Sequence, residues 1–192
     1  MAPPKILVFA GSTRTGALSG KLAALAAKEL ALADADVTRI SLADYPLPIY
    51  NGDLEHEKGI PENAMKLAKL IATQQGVFIA TPEYNNSLPP LLKNAIDWVS
   101  RIKAGPNGIP YRNKVYGIGS TSDGLVGGAR ALIDLRRVVL TAVGAILIPE
   151  KIEISRAQEA FDESGELIAE PPRNLLKSLC RHLVDLSRRL AD

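Results

Sequence analysis

Hydroxyl groups and one arginine are concentrated in residues 11–19, which read GSTRTGALS and follow an apolar run at 6–10. A phosphate group there would meet backbone N–H groups, hydroxyl donors and the positive end of the dipole of the following helix. Arg14 would add a positive charge. The alternative is that a serine or threonine merely caps the helix. One cap uses one hydroxyl, so the density of hydroxyls beside an arginine favours a phosphate-binding loop.

The same loop lacks the residues that nucleoside triphosphate hydrolases need. Its glycines at 11 and 16 have the spacing of a P-loop, but Ala17 and Leu18 stand where lysine and serine or threonine are required. The dinucleotide fingerprint G-x-G-x-x-G is also absent. A hydroxyl-lined loop without that lysine suits a single terminal phosphate, such as the phosphate of FMN.

A second unusual segment, residues 81–90, reads TPEYNNSLPP. Its prolines fix the backbone at both ends, and amide groups lie between them beside one aromatic ring. Such a segment suits the edge of a planar heterocycle, because it offers hydrogen bonds to ring atoms and leaves one ring face open for hydride delivery. The alternative is a generic proline-rich turn.

A third segment, residues 119–124, reads GSTSDG and is followed by Gly127 and Gly128, whose small size would let the backbone approach a flat ligand. The nucleophile-elbow pattern G-x-S-x-G is not matched at Ser120 or Ser122. The two histidines and one cysteine of the chain show no ligand spacing, so we predict neither serine hydrolysis nor a metal site.

Strand-like apolar runs alternate with helical patterns along the chain. Strands are predicted at 6–10, 37–42, 76–81, 115–119 and 145–148, with an edge strand near 152–154. Helices are predicted from Leu18, from Pro61 in the first helical position, over 91–98 and 129–141, and along a final leucine stripe at 175–190. This alternation predicts a parallel sheet with helices on both faces. Ligands of such sheets bind at the carboxyl ends of the strands, where all three segments lie.

Composition narrows the function classes. Of 192 residues, 46% are hydrophobic and 23% charged, which is typical of a folded protein, and we predict one domain over 1–192. A formal net charge of +2 is too small to indicate the basic surface of a nucleic-acid-binding protein. The apolar run at 138–148 is too short to cross a bilayer. Cys180 has no cysteine partner within the chain, so a cytoplasmic location is expected, without nucleic-acid or membrane partners.

The three segments resemble those of the NADPH-dependent FMN reductases, flavodoxin-like enzymes that include soluble quinone, chromate and azo-dye reductases. The matching stretches are GSTRTG with Ser19, TPEYNNSLPPLLKNAIDW and GSTSDGLVGGARA, and the resemblance covers essentially the whole chain. It implies an α/β, flavodoxin-like three-layer sandwich with a five-stranded parallel sheet in the order 2-1-3-4-5. It also implies a homodimer or homotetramer.

Carried over position by position, the resemblance assigns a set of cofactor-binding residues. The phosphate contacts of FMN would be Ser12, Arg14 and Ser19; the residues bordering the ring and ribityl chain would be Pro82, Glu83, Tyr84, Asn85 and Asn86; and Ser120 and Thr121 would lie near the ring. Tyr84 and Asn85 are the residues expected beside the reacting edge. Two positions depart from the family: Ala17 replaces a frequent serine, and Asp123 replaces a residue that is often small or apolar.

The resulting functional hypothesis is an NAD(P)H-dependent oxidoreductase with ping-pong kinetics. NADPH or NADH would pass a hydride through FMN to a small acceptor such as a quinone, a free flavin, chromate or an azo compound. One alternative is a flavodoxin-like electron carrier that acts with protein partners, although 23 basic against 21 acidic residues are unlike the acidic surfaces of such carriers. Another is a domain without flavin that serves interaction or sensing.

Overall fold

A computed structural model describes residues 2–103 and 108–190. Its parallel sheet has the strand order β2-β1-β3-β4-β5, as predicted. The strands are β1 Lys5–Ala10, β2 Asp36–Ile40, β3 Gly76–Pro82, β4 Val115–Thr121 and β5 Ile146–Ile154. The helices are α1 Leu18–Leu32, α2 Gly52–Lys58, α3 Glu62–Ala72, α4 Pro90–Ser100, α5 Ala129–Arg137 and α6 Glu170–Arg189.

The central strands form the core because both of their faces are covered by helices. Successive side chains of a strand point to opposite faces, which explains the near-continuous apolar run of β1. Ile6 and Val8 pack in the layer that contains buried residues of α1 and α6. Leu7 and Phe9 pack in the opposite layer, with buried residues of α3, α4 and α5. The sheet therefore separates two apolar cores, and the predicted three-layer sandwich is confirmed.

The fifth strand differs from its prediction. The segments expected as a strand at 145–148 and a separate edge strand at 152–154 form one strand, β5. Leu147 pairs with Tyr116, whereas Lys151 pairs with Ile118, so the register shifts between these pairs. Pro149 lies within the shift, and a proline cannot donate the ladder hydrogen bond there. The proline therefore interrupts the pairing without ending the strand.

The limits of three helices also differ from those predicted. Pro61 is the residue before the helix and not its first position, because α3 begins at Glu62. The helix predicted over 129–141 is α-helical to Arg137 and continues as a π-helical turn to Ala142. In α6 the predicted leucine stripe is only half right: Leu175 and Leu190 are exposed. The buried face runs through Leu176, Leu179, Cys180, Leu183 and Val184, which keeps closer to the 3.6-residue period.

Two reactive side chains are used as core elements. The ammonium group of Lys114 donates to the carbonyl oxygens of Ala72, at 2.9 Å, and Gln74, at 2.6 Å, and so satisfies the carboxyl end of α3. Burial lowers the pKa of Lys114. Cys180 is buried between α6 and α1, 3.8 Å from the carbonyl oxygen of Ala26, and burial raises the pKa of its thiol. Within 2–103 and 108–190, none of the helices is both long and apolar enough to cross a membrane.

Candidate functional site

The carboxyl ends of β1, β3 and β4 meet at one edge of the sheet, and the loops that follow them enclose a cavity of about 280 Å³. Seven predicted site residues line it: Ser12, Arg14, Ser19, Pro82, Glu83, Tyr84 and Thr121. Asn85, Asn86 and Ser120 do not. The geometry therefore brings together parts of all three segments.

The loop after β1 connects this strand to α1 but supplies no side-chain cap for the helix. Gly11 donates its N–H to the carbonyl oxygen of Ala80 at 2.8 Å and extends the pairing of β1 with β3. Gly16 has a φ of 70°, a left-handed conformation that favours glycine, and turns the chain into the helix. The N-cap residue is Ala17, and no side chain makes the cap hydrogen bond. The first N–H groups of α1 thus lack a side-chain acceptor, and the capping alternative finds no support at this helix.

Ser19 lies in the first turn of α1 and is 1% exposed. Its hydroxyl has no hydrogen-bond partner among the described residues, yet the residue lines the cavity. An unpaired buried hydroxyl costs free energy unless a ligand or water satisfies it. Arg14 lines the same cavity and forms no ion pair with the carboxylates that the structure describes. This end of the cavity is therefore suited to an anion.

The loop after β3 is a tight hairpin turn and not a generic proline-rich loop. Tyr84 and Ser87 exchange backbone hydrogen bonds of 3.1 and 3.0 Å. Asn85 and Asn86, at the tip, have φ values of 49° and 64°, the pattern of a type I′ turn that asparagine tolerates well. The hydroxyl of Ser87 donates to Asp134 of α5 at 2.6 Å. The turn is thus fixed at both ends, and the Tyr84 ring, 47% exposed, stands at the mouth of the cavity.

Glu83 lines the cavity, and one oxygen of its carboxylate is bound to a neighbouring helix. Oε2 accepts hydrogen bonds from the backbone N–H groups of Arg130 and Ala131, both at 3.0 Å. These groups belong to the first turn of α5, whose own N-cap residue, Gly128, supplies no side-chain bond. Glu83 therefore caps α5 from the neighbouring loop and holds the second and third loops together.

The loop after β4 begins later than its sequence suggests. Ser120 and Thr121 are residues of β4, and the hydroxyl of Ser120 donates to the carbonyl oxygen of Gly127 at 2.6 Å. Thr121 lines the cavity, and so do Ser122, Asp123 and Gly124, of which sequence reasoning selected none as a cofactor contact. Their position directly after the strand was the available signal. The predicted strand ended at 119, two residues before the observed end of β4, so the start of the following loop was placed two residues too early.

The carboxylate of Asp123, an exposed residue, is bound by one neighbour. Its two carboxylate oxygens accept from the backbone N–H and the side-chain amide of Gln158, at 3.1 and 2.8 Å.

Arg101 lies outside the cavity. Its Nε pairs with Glu55 at 3.0 Å, and its guanidinium lies 5.9 Å from the Tyr50 ring centroid. This ion pair lowers the pKa of Glu55. Arg101 therefore acts as a helix-end charge.

Comparisons with known proteins agree with this architecture. The chain matches the model of the NADPH-dependent FMN reductase family over residues 4–159. It is 38% identical to a quinone reductase of Escherichia coli K12 over 166 residues, which are 85% of each chain. An NAD(P)H-dependent FMN reductase of Pseudomonas aeruginosa is 34% identical over 187 residues, 97% of this chain and 96% of that one.

A solved structure extends the comparison to three dimensions. The flavoenzyme FerB, an NAD(P)H:acceptor oxidoreductase of Paracoccus denitrificans, superposes with a TM-score of 0.77 and 28% identity. The match covers 97% of this chain and 98% of FerB. With the strand order, the three loops and the matched residues in agreement, the chain belongs to the NADPH-dependent FMN reductase family.

Proposed function

We propose that this chain is an FMN-dependent NAD(P)H:quinone oxidoreductase and that the cavity between the loops after β1, β3 and β4 holds the FMN. The observation that carries the proposal is the buried Ser19 hydroxyl, which lacks a partner among the described residues and lines the cavity at the uncapped start of α1. A phosphate monoester placed there would accept from that hydroxyl and from the free N–H groups.

The phosphate end of the proposed site consists of Ser12, Arg14 and Ser19. The hydroxyl of Ser12 already accepts from the backbone N–H of Arg14 at 3.4 Å and keeps its own proton free to donate. Arg14 is exposed and without a carboxylate partner among the residues described, so its guanidinium is free to pair with a phosphate. Ala17 offers no hydroxyl, and this end of the site therefore has one donor fewer than many family members.

At the ring end, Pro82, Tyr84 and Thr121 line the cavity and Tyr84 stands at its mouth. When bound, FMN supplies hydride transfer between a nicotinamide and an acceptor. The chain's part is to hold the ring edge with the rigid hairpin turn and to leave the other ring face accessible. We infer that Tyr84 and Asn85 lie beside the reacting edge and that Asn86, at the tip of the same turn, borders the ring. Glu83 and Ser120 support the loops through their hydrogen bonds. No free carboxylate or histidine is needed for this reaction.

Quinones are the proposed acceptors, since a quinone reductase is among the relatives that cover most of the chain.

We also propose that the protein forms a dimer or tetramer. The side chains of Leu125 and Val126, in the loop after β4, are exposed and would be covered by a second subunit. Light scattering of the purified protein measures this directly; a monomeric mass at micromolar concentration would contradict the oligomer.

The proposed function is tested by recording the visible spectrum of the FMN-loaded protein before and after anaerobic addition of NADPH, then NADH, then a quinone. We expect bleaching by a nicotinamide and recovery with the quinone. Bound FMN that neither nicotinamide bleaches would favour the electron carrier. Failure to bind FMN would refute the proposal.

Arg14→Ala provides a variant for the same measurement. The loss of one charge-assisted contact to the phosphate should weaken FMN binding about 10-fold or more, with an unchanged circular dichroism spectrum. Arg181→Ala, which removes an exposed arginine on α6, is the matched control and should retain FMN as the unmodified protein does.

A further inference from the structure

A second cleft, of about 550 Å³, adjoins the flavin cavity across the loop after β1. The two share Ser12, Arg14 and Ala17 as a common wall. The second cleft then extends along α1 and across the carboxyl end of β2, whereas the flavin cavity extends toward β3 and β4. A ligand could therefore occupy it while FMN fills the cavity.

Positive charge dominates this second cleft. Arg14, Lys21 and Arg39 line it, against one carboxylate, that of Asp44. None of these four side chains forms an ion pair within the part of the chain that the structure describes. The ammonium group of Lys21 lies 5.7 Å from the ring centroid of Phe161, a residue that does not line the cleft. Lys21 and Arg39 both line this cleft and not the flavin cavity, and of the two only Arg39, exposed near the end of β2, carries a guanidinium group.

Part of the cleft wall is made of small side chains. Ala17, Gly20 and Ala24 of the first helix and its cap lie on the face that borders the cleft. Residues spaced three, four and seven apart share one helix face, so the helix presents a shallow surface here. Such a surface lets a flat base approach the backbone, while the arginines remain available for an anion.

We infer that this cleft binds the adenosine end of NADPH, with Arg39 pairing to the 2′-phosphate. The inference rests on the proposed function, because it assigns a position to the nicotinamide substrate of that reaction. FMN brings one phosphate, which the shared wall at Ser12 and Arg14 accommodates. The additional cation at Arg39 is explained by a second phosphate, and the 2′-phosphate is the group that distinguishes NADPH from NADH. Arginine is suited to it because its planar fork can bind two phosphate oxygens at once.

The site is tested without catalysis by titration calorimetry, with 2′,5′-ADP and 5′-AMP as probes on the FMN-loaded protein and on the flavin-free protein. We expect 2′,5′-ADP to bind about 10-fold or more tightly than 5′-AMP, and Arg39→Ala to abolish the difference. Arg181→Ala, which removes the same charge from α6, should preserve it. Equal affinities for the two nucleotides, or an unchanged preference in Arg39→Ala, would overturn the assignment even if the protein proves to be a quinone reductase.

Steady-state kinetics provide the second readout. Arg39→Ala should lower kcat/KM for NADPH by about 10- to 100-fold and leave the value for NADH within about 2-fold. An equal loss with both nicotinamides would show that Arg39 supports the fold or the flavin, and would refute the inference. So would a loss of bound FMN, which the visible spectrum of the same sample reports. If neither nicotinamide is oxidised by the unmodified protein, the proposed function fails, and the calorimetry alone decides on the cleft.

Discussion

Single side chains of this protein have roles that their sequence positions do not disclose. Ser19 was found from its place in a hydroxyl-rich segment, but its burial without a partner is visible only in the folded chain. Glu83 was expected beside the flavin, and the structure shows its carboxylate on two N–H groups of α5. The two side chains therefore differ: Glu83 finds hydrogen-bond donors within the protein, whereas the hydroxyl of Ser19 has no partner among the described residues.

Ser19→Ala should separate stability from binding. The variant removes a buried hydroxyl that has no described partner, so the flavin-free protein should gain about 1 kcal/mol in free energy of unfolding. The same change should weaken FMN binding about 10-fold, since a donor to the phosphate is lost. Urea unfolding and fluorescence titration measure the two effects.

The control for this variant is Ser178→Ala, at an exposed position of α6. It should raise stability by only a few tenths of a kcal/mol through helix propensity and leave FMN binding unchanged. If Ser19→Ala destabilised the flavin-free protein, the hydroxyl would have a partner in solution, and the argument for an unsatisfied donor would be wrong.

The phosphate segment could be predicted from local sequence because its residues act within one loop. The cap on α5 could not, because Glu83 and its partners are 47 and 48 residues apart. The cleft beside α1 was missed for the same reason: Arg14, Lys21 and Arg39 are scattered along the chain and meet only when β2 pairs with β1. Local patterns predict loops, and long-range packing decides which loops share a site.

At the scale of elements, helices around the cavity depend on partners from other segments. α1 has no side-chain cap and starts at the proposed phosphate site, whereas α5 is capped by Glu83 from the loop after β3. The hydroxyl of Ser87 adds a second bond from that loop to α5, through Asp134. The second loop and α5 should therefore behave as one unit.

Glu83→Ala tests this coupling. Two N–H groups lose a charged acceptor, so the free energy of unfolding should fall by about 1–2 kcal/mol. Hydrogen exchange should rise at the amides of Arg130 and Ala131 before it rises in β3, which mass spectrometry of peptides resolves.

Two variants bracket the interpretation. Glu83→Gln keeps an acceptor oxygen and should recover part of the lost stability. Glu159→Ala removes an exposed carboxylate near the same edge of the sheet and should leave both stability and exchange unchanged. Unchanged exchange in α5 of Glu83→Ala would mean that the cap does not anchor the helix.

At the scale of the whole molecule, the apolar runs predicted central strands buried on both faces of a parallel sheet, whereas the strand order was predicted from the resemblance to the FMN reductases and is confirmed. The bulge at Pro149 was not predicted, since a proline in a predicted strand also fits a strand end. The expectation of a single domain over 1–192 stays a prediction.

Burial makes the stability of the fold depend on pH. It raises the pKa values of Tyr111 and Tyr116 above their ordinary value of 10.0.

The protein should therefore lose stability in alkali. Above a pH of about 10 the unfolded chain releases the phenolic protons that the folded chain keeps, so the folded state binds more protons and stability falls as pH rises. Tyr116→Phe removes one of these groups and should reduce the fall by up to about 1.4 kcal/mol per pH unit. Urea unfolding at about pH 7 and about pH 11 measures it.

The same variant makes a second prediction near neutral pH. The Tyr116 hydroxyl is buried and has no partner among the described residues, so Tyr116→Phe should stabilise the protein by about 1 kcal/mol. Tyr45→Phe, at a half-buried position, serves as the comparison and should leave the stability near neutral pH unchanged. A destabilised Tyr116→Phe at neutral pH would contradict the argument from the unpaired hydroxyl, and an unchanged loss of stability between about pH 7 and about pH 11 would contradict the argument from its titration.

The burial of Cys180 gives the protein a reporter of its own unfolding. It is the chain's single cysteine, it is 0% exposed, and its raised pKa keeps it as a thiol. Reagents that modify thiolates should therefore label the protein only during openings that separate α6 from α1. The labelling rate therefore measures how often these openings occur. Bound FMN should lower this rate, and the more it stabilises the native state the slower the labelling should become. A cysteine introduced on the surface would, for the same reason, be the sole attachment point for a dye on the folded protein.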